Sequence, residues 1–284
     1  MNASSPASRP AAIFTAASSG KEFRLGRLFA ADGRSVILPV DHGTMLGRVA
    51  GLEDPVAMVA RFLPLACDGF LLGPRVAERT TALFAHRGAP ARLLTIDSYW
   101  RGNPATRHVL ITSVARAAAL GVDGVKVLMP WDTPAEERAD CAELVATVIR
   151  EAEPFGLPVM VEPICLAAPR PPDAVAIEGD GTRMAAELGA DIIKVMYPGD
   201  PELLSAWSAE LGVPLVILGG PAGGGTEELC RMVADAVAAG ARGITIGRRV
   251  WQRPVEEATE VLGQLAALVH PDTVHPAATV SPAG

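Results

Sequence analysis

ELGADIIKVMYP, residues 187–198, carries the pattern from which the fold is read: a helix end closing on Leu-Gly, a short turn, then an apolar run rich in β-branched residues. The same order recurs in ALGVDGVKV (119–127), ELGVPLVIL (210–218) and AAGARGITI (238–246). A glycine in each copy suits the left-handed residue that ends a helix, and the run after it suits a buried parallel strand. This is a weak internal repeat of one strand–helix unit. Working outward, the candidate strands are SVILPVD (35–41), GFLLG (69–73), RLLTIDS (92–98), GVKVLMP (124–130), PVMVEP (158–163), DIIKVMYP (191–198), PLVILGG (214–220) and GITIGRR (243–249). Amphipathic segments such as PAEERADCAELVATVIREAEPFG (134–156), TEELCRMVADAVAAG (226–240) and PVEEATEVLGQLAALVH (254–270) alternate with them. Eight such units in about 250 residues predict a single-domain α/β fold, a (β/α)8 TIM barrel. The expected limits are a Ser/Ala/Pro-rich arm over residues 1–22, the barrel over 23–270 and a tail over 271–284.

Composition narrows the class. The 284 residues are 49% hydrophobic and 20% charged, ordinary for a globular protein with a full core. Cys67, Cys141, Cys165 and Cys230 are scattered without a CxxC pair, which points to reduced thiols in a cytoplasm. The opening stretch lacks an apolar leader core, and no run is long and apolar enough to span a bilayer. A net charge of −7, with arginines spread along the chain, excludes a nucleic-acid binder, so an anionic ligand must be held by a local site.

In such a barrel the chemistry gathers at the carboxyl ends of the strands. The polar residues there are Asp41 and His42 after the first run, Asp97 and Ser98 after the third, Lys126 in the fourth, Glu162 in the fifth, Lys194 and Tyr197 in the sixth, Gly219 and Gly220 after the seventh, and Gly247 and Arg248 after the eighth. The chain holds three lysines, Lys21, Lys126 and Lys194, against 22 arginines. Two of the three lie in apolar runs, where only an amine can shed its proton near neutral pH and attack a carbonyl. A lone lysine can line an apolar layer with its stem, Glu162 can be an ion-pair partner and Asp41–His42 a strand-end cap. Together they can make or break a carbon–carbon bond: Lys194 attacks a ketone, the imine acts as electron sink, and a carboxylate or phenol moves the proton of the substrate hydroxyl. The glycines of LGGPAGGGTEEL (218–229), beside Gly247 and Arg248, form a phosphate cradle at a helix start. His42 is the only one of five histidines expected at a strand end, His86, His108, His270 and His275 falling on helices or the tail, so neither metal nor cofactor is expected.

RLGRLFAADGRSVILPVDHG (24–43), GADIIKVMYPGD (189–200), GGPAGGGTEEL (219–229) and GARGITIGRRVWQR (240–253) resemble the class I aldolase family that includes archaeal-type fructose-bisphosphate aldolase, the archaeal aminodideoxyheptulosonate synthase and the autoinducer-processing thiolase. The resemblance covers nearly all of residues 23–270. It implies Lys194 as the Schiff-base lysine, Asp41 as its assisting acid, phosphate on Gly219, Gly220, Gly247 and Arg248, and a cytoplasmic homo-oligomer. The archaeal aldolases carry a catalytic tyrosine in a Y-P-R-G run after the fifth strand, whereas this chain reads VEPICLAAPR (161–170), with Ile164 at the matching place. The lysine in VKVLMPW and the glutamate in VEP resemble instead the tagatose-bisphosphate and sulfofructose-phosphate aldolases, which makes Glu162 the leading proton shuttle and Tyr197 the reserve. The expected activity is a metal-independent aldolase joining a phosphoketone such as dihydroxyacetone phosphate to an aldehyde. The alternatives are a synthase or thiolase that transfers a keto fragment, for instance onto aspartate semialdehyde, and a barrel that only senses a sugar phosphate.

Overall fold

The computed structural model describes residues 19–65, 67–100, 107–220 and 223–272. Ten strands appear in chain order: β1 (Ser35–Pro39), β2 (Gly69–Leu72), β3 (Ala91–Thr95), β4 (Asp97–Trp100), β5 (Arg107–Leu110), β6 (Gly124–Pro130), β7 (Val159–Ile164), β8 (Ile192–Met196), β9 (Leu215–Leu218) and β10 (Gly243–Thr245). Eight of them close a parallel barrel in the order β1-β10-β9-β8-β7-β6-β3-β2, each followed by helix, β3 only after the β4–β5 ribbon. This is the predicted (β/α)8 architecture.

Side-chain parity divides the core in two. Inward residues Ile37, Leu71, Leu93, Met160, Ile192 and Val216 fill the barrel floor, while outward neighbours such as Val125, Val127, Val161, Ile193, Val195 and Ile217 pack under the helices. The floor is closed from below by the helix Ser19–Leu28, whose Leu25 and Leu28 join the inner cluster. Lys21 Nζ anchors that helix to Asp191 Oδ1 at 2.9 Å. Residues 19–22, which the sequence places in the arm, belong to this helix, whose leucines close the barrel end. The rest of the expected arm, residues 1–18, and tail residues 273–284 lie outside the described residues.

RLLTIDS, expected as one strand, breaks at Ile96. The Asp97 carboxylate accepts the Leu128 N–H at 2.8 Å, and from there β4 leaves the barrel to pair antiparallel with β5. His108, expected on a helix, lies on β5 with Nε2 2.7 Å from Asp97 Oδ2. The eighth run also ends early: β10 stops at Thr245, and Arg248 opens a helical turn, Arg248–Trp251. Among the described residues no helix is long and apolar enough to cross a membrane.

At the opposite end from the site, the His270 ring ties the last helix to two loops. Its Nδ1 lies 2.7 Å from Asp32 Oδ2 and its Nε2 3.0 Å from Asp68 Oδ2. Burial alone would depress the imidazole, yet the hydrogen bonds and charges of Asp68 and Asp32 outweigh it and raise its pKa above the ordinary 6.5. A raised folded value means the stabilisation is complete below about pH 6.5 and is lost as pH rises from there through the higher folded value. Denaturant titrations across this range are expected to show stability falling with pH in the wild type, and a flatter profile in His270→Gln.

Candidate active site

Period-two alternation aims five side chains into the mouth of the barrel: Lys126 and Leu128 from β6, Glu162 from β7, and Lys194 and Met196 from β8. With Asp41, His42, Thr95, Gly219, Gly220, Thr245, Gly247 and Arg248 they line one cavity of about 230 Å³. The carboxylate of Glu162 lies between two amines, accepting from Lys126 Nζ at 2.6 Å and from Lys194 Nζ at 3.0 Å. Lys126, Glu162, Lys194 and Asp41 expose only 3%, 6%, 7% and 9% of their surface, so these charges persist only because they are paired. Thr95 Oγ1 donates to Asp41 Oδ2 at 2.5 Å and fixes that carboxylate within the field of the amines.

The charge states follow from this packing. Burial would raise Glu162, but the Lys126 and Lys194 ammoniums outweigh it and hold the carboxyl below its ordinary value. Asp41 is likewise lowered, against burial, by Lys126, His42, Lys194 and the Thr95 hydrogen bond. Burial acts on Lys126 in the other direction, and Glu162, Asp97 and Asp41 overcome it, keeping the amine charged and its pKa raised. Burial depresses the His42 imidazole to about 4, with Lys194 and Arg248 adding to the effect and Asp41 and Glu162 opposing it, so the ring is neutral at pH 7. Asp41 and Glu162 thus enter as carboxylates. Asp41, the assisting acid that the resemblance implies, stands here as a carboxylate beside the two amines.

At the other wall, two glycines are required by close approach. A Cβ on Gly219 would fall 2.8 Å from Ile246 Cγ2, and one on Gly247 would fall 2.8 Å from the Pro39 carbonyl oxygen. Arg248 Nη2 donates to the Gly220 carbonyl at 3.3 Å, which directs the guanidinium along the glycine loop. Its buried Nε has no hydrogen-bond partner among the described residues, a donor suited to an anion held beside Gly219, Gly220 and Gly247. Pro221 and Ala222 of the same loop lie outside the described residues. Trp251 supports this corner, its Nε1 donating to the Pro39 carbonyl at 3.0 Å and its ring meeting His42 edge-on at 5.4 Å. Arg249 turns away towards Glu228.

Of the twelve strand-end residues expected, nine meet in this cavity; Asp97 and Ser98, engaged with Leu128, His108 and the Thr44 carbonyl, do not, and neither does Tyr197. It lies three residues after Lys194, an odd step that sends it to the opposite face, where it packs with the barrel–helix cluster. Sequence reasoning also missed Thr95, Thr44 and the apolar wall of Met45, Leu46, Ile164 and Leu166. The same alternation that places Lys194 would have found Thr95 and Ile164, but the loop residues carry no periodic signal. Among the described residues no three His, Cys, Asp or Glu side chains converge as metal ligands would.

A closed barrel with a buried lysine–glutamate–lysine cluster at its carboxyl mouth and a glycine–arginine corner beside it defines a class I aldolase, which works through a lysine Schiff base. The chain belongs to the DeoC/LacD family of aldolases, whose model matches residues 35–253. It is 32% identical to the class 1 fructose-bisphosphate aldolase of Thermoproteus tenax over 86% of this chain and 92% of the relative. It is 30% identical to the 2-amino-3,7-dideoxy-D-threo-hept-6-ulosonate synthase of Halobacterium salinarum over 93% of this chain and 97% of the relative. A solved archaeal fructose-1,6-bisphosphate aldolase, with its catalytic lysine covalently bound to the carbinolamine intermediate, superposes with a TM-score of 0.74 at 29% identity, over 89% of this chain and 100% of that one. Family membership removes the sensor-only reading.

Proposed function

We propose that this aldolase forms or cleaves the bond between dihydroxyacetone phosphate and an aldehyde, with Lys194 as the imine-forming amine. The observation that carries the reading is the Glu162 carboxylate held between two buried amines, 2.6 Å from Lys126 Nζ and 3.0 Å from Lys194 Nζ. In the synthetic direction the Lys194 ammonium passes a proton to Glu162, the free amine adds to the ketone carbon, and Glu162 returns that proton to the departing hydroxyl, so that loss of water leaves a protonated imine. Glu162 takes a proton from the adjacent carbon as the electron pair moves toward the imine nitrogen, giving an enamine. That carbon attacks the aldehyde, the carbonyl electron pair moves to oxygen, and the proton held by Glu162 is delivered there. Water then cleaves the imine and returns the Lys194 amine. Lys126 stays charged throughout, orienting Glu162 and stabilising the developing oxyanion, while Asp41 accepts from a substrate hydroxyl.

The phosphate belongs in the Gly219, Gly220, Gly247 and Arg248 corner, supported by the buried Arg248 Nε. Arg248→Ala is expected to raise KM for the phosphorylated donor by a factor worth about 1.5–3 kcal/mol, with little change for an unphosphorylated ketone. Steady-state kinetics on the two donors check this; equal losses on both would remove Arg248 from the phosphate site. A second reading, transfer of a keto fragment onto aspartate semialdehyde, is favoured by the similarity to the Halobacterium salinarum synthase. Borohydride trapping with candidate donors separates the two. A cytoplasmic, self-associating state belongs to the same proposal, and sedimentation of the purified protein tests the association.

A further inference from the structure

Beyond the imine cluster, the cavity is divided by chemistry. Its donor corner holds Arg248 and the glycine loops of β9 and β10, while Lys126 and Lys194 are both engaged by Glu162. In the barrel order the ends of β6 and β7 lie away from that corner, and there the lining is Leu128, Ile164 and Leu166. Met45 and Leu46, from the helical turn Gly43–Leu46 after β1, add to this apolar lining, with Leu46 half exposed. Ile164 follows Glu162 on the inward face of β7, and Leu166 lines the cavity from the segment just after that strand, so both stand beyond the group that handles the proton. Of the polar residues that complete the lining, Thr44, Thr95 and Thr245 are uncharged, His42 is neutral at pH 7, and the one further charge, Asp41, is an anion. Among the described residues the cavity therefore has one anion-binding corner and one apolar wall.

We infer that the acceptor half of this cavity takes a short, apolar, unphosphorylated aldehyde, so that the ketose made or cleaved carries a single phosphate. This rests on the aldolase reading above and extends it to the second substrate. A phosphate or carboxylate on the acceptor would have to leave water for a wall of Ile164, Leu166 and Leu128 without a cation to meet it, which is strongly unfavourable. An alkyl chain in the same place replaces water at an apolar surface and favours binding. The acceptor needs no polar handle beyond its carbonyl, whose oxygen meets Lys126 and Glu162 as the carbon–carbon bond forms and the proton from Glu162 arrives.

The test uses the wild-type protein with dihydroxyacetone phosphate as donor. Exchange of the donor's C3 proton in deuterated water, with no aldehyde present, first reports enamine formation. kcat/KM is then measured for butanal, glyceraldehyde 3-phosphate and aspartate semialdehyde. The expected result is donor exchange, with butanal preferred at least tenfold over both charged aldehydes. If exchange proceeds but either charged aldehyde equals or exceeds butanal, the acceptor assignment is overturned while the imine chemistry stands. Absence of exchange overturns both.

Discussion

Lys194→Arg is expected to have no measurable turnover and no borohydride-dependent inactivation by dihydroxyacetone phosphate. The substitution keeps a cation facing Glu162, so the buried charge balance that the fold depends on is largely preserved. What it removes is the ability to become a nucleophile, since a guanidinium does not lose its proton under physiological conditions. Thermal unfolding of the variant separates loss of chemistry from loss of structure. Substantial activity in a folded Lys194→Arg protein would transfer the imine to Lys126, the other buried amine in contact with Glu162.

Glu162→Gln is expected to lower kcat by about 10²–10⁴-fold, the usual scale for a lost acid–base group, while borohydride trapping on Lys194 persists. The amide preserves the shape of the side chain but can neither carry the proton nor balance Lys126 and Lys194. Removing the anion from a buried pair typically costs about 3–5 kcal/mol, so the folded fraction must be measured alongside kcat. Tyr197→Phe, by contrast, should leave kcat nearly unchanged, because the phenol packs on the helix side of β8. Normal turnover in Glu162→Gln with a dead Tyr197→Phe would reverse the assignment.

Most of the barrel and the centre of its site could be read from the chain. The repeated Leu-Gly turns announced the strand–helix units, and lysines inside apolar runs of an arginine-rich protein marked the amines. The errors have physical causes. Tyr197 was grouped with Lys194 because both follow one apolar run, although a period of two sends residues three apart to opposite faces. RLLTIDS looked continuous because a side-chain carboxylate taking a backbone N–H, as Asp97 does with Leu128, leaves no trace in hydrophobic periodicity. The helix Ser19–Leu28 was assigned partly to the arm because its apolar residues are few, though two of them suffice to close the barrel floor. Leu46 ends the short helix Gly43–Leu46 and Leu166 follows β7, segments whose path depends on tertiary contacts, and local pattern could not assign them to the cavity.

The most direct measurement is a single labelling experiment on the wild-type enzyme. Dihydroxyacetone phosphate and borohydride are added together, the protein is digested with trypsin, and the peptides are weighed and sequenced. The predicted result is the mass of the reduced ketone adduct on the peptide spanning residues 184–231, at Lys194, with cleavage there suppressed. An adduct confined to the peptide spanning residues 117–138, at Lys126, would contradict it, as would the absence of any adduct in protein that turns the donor over.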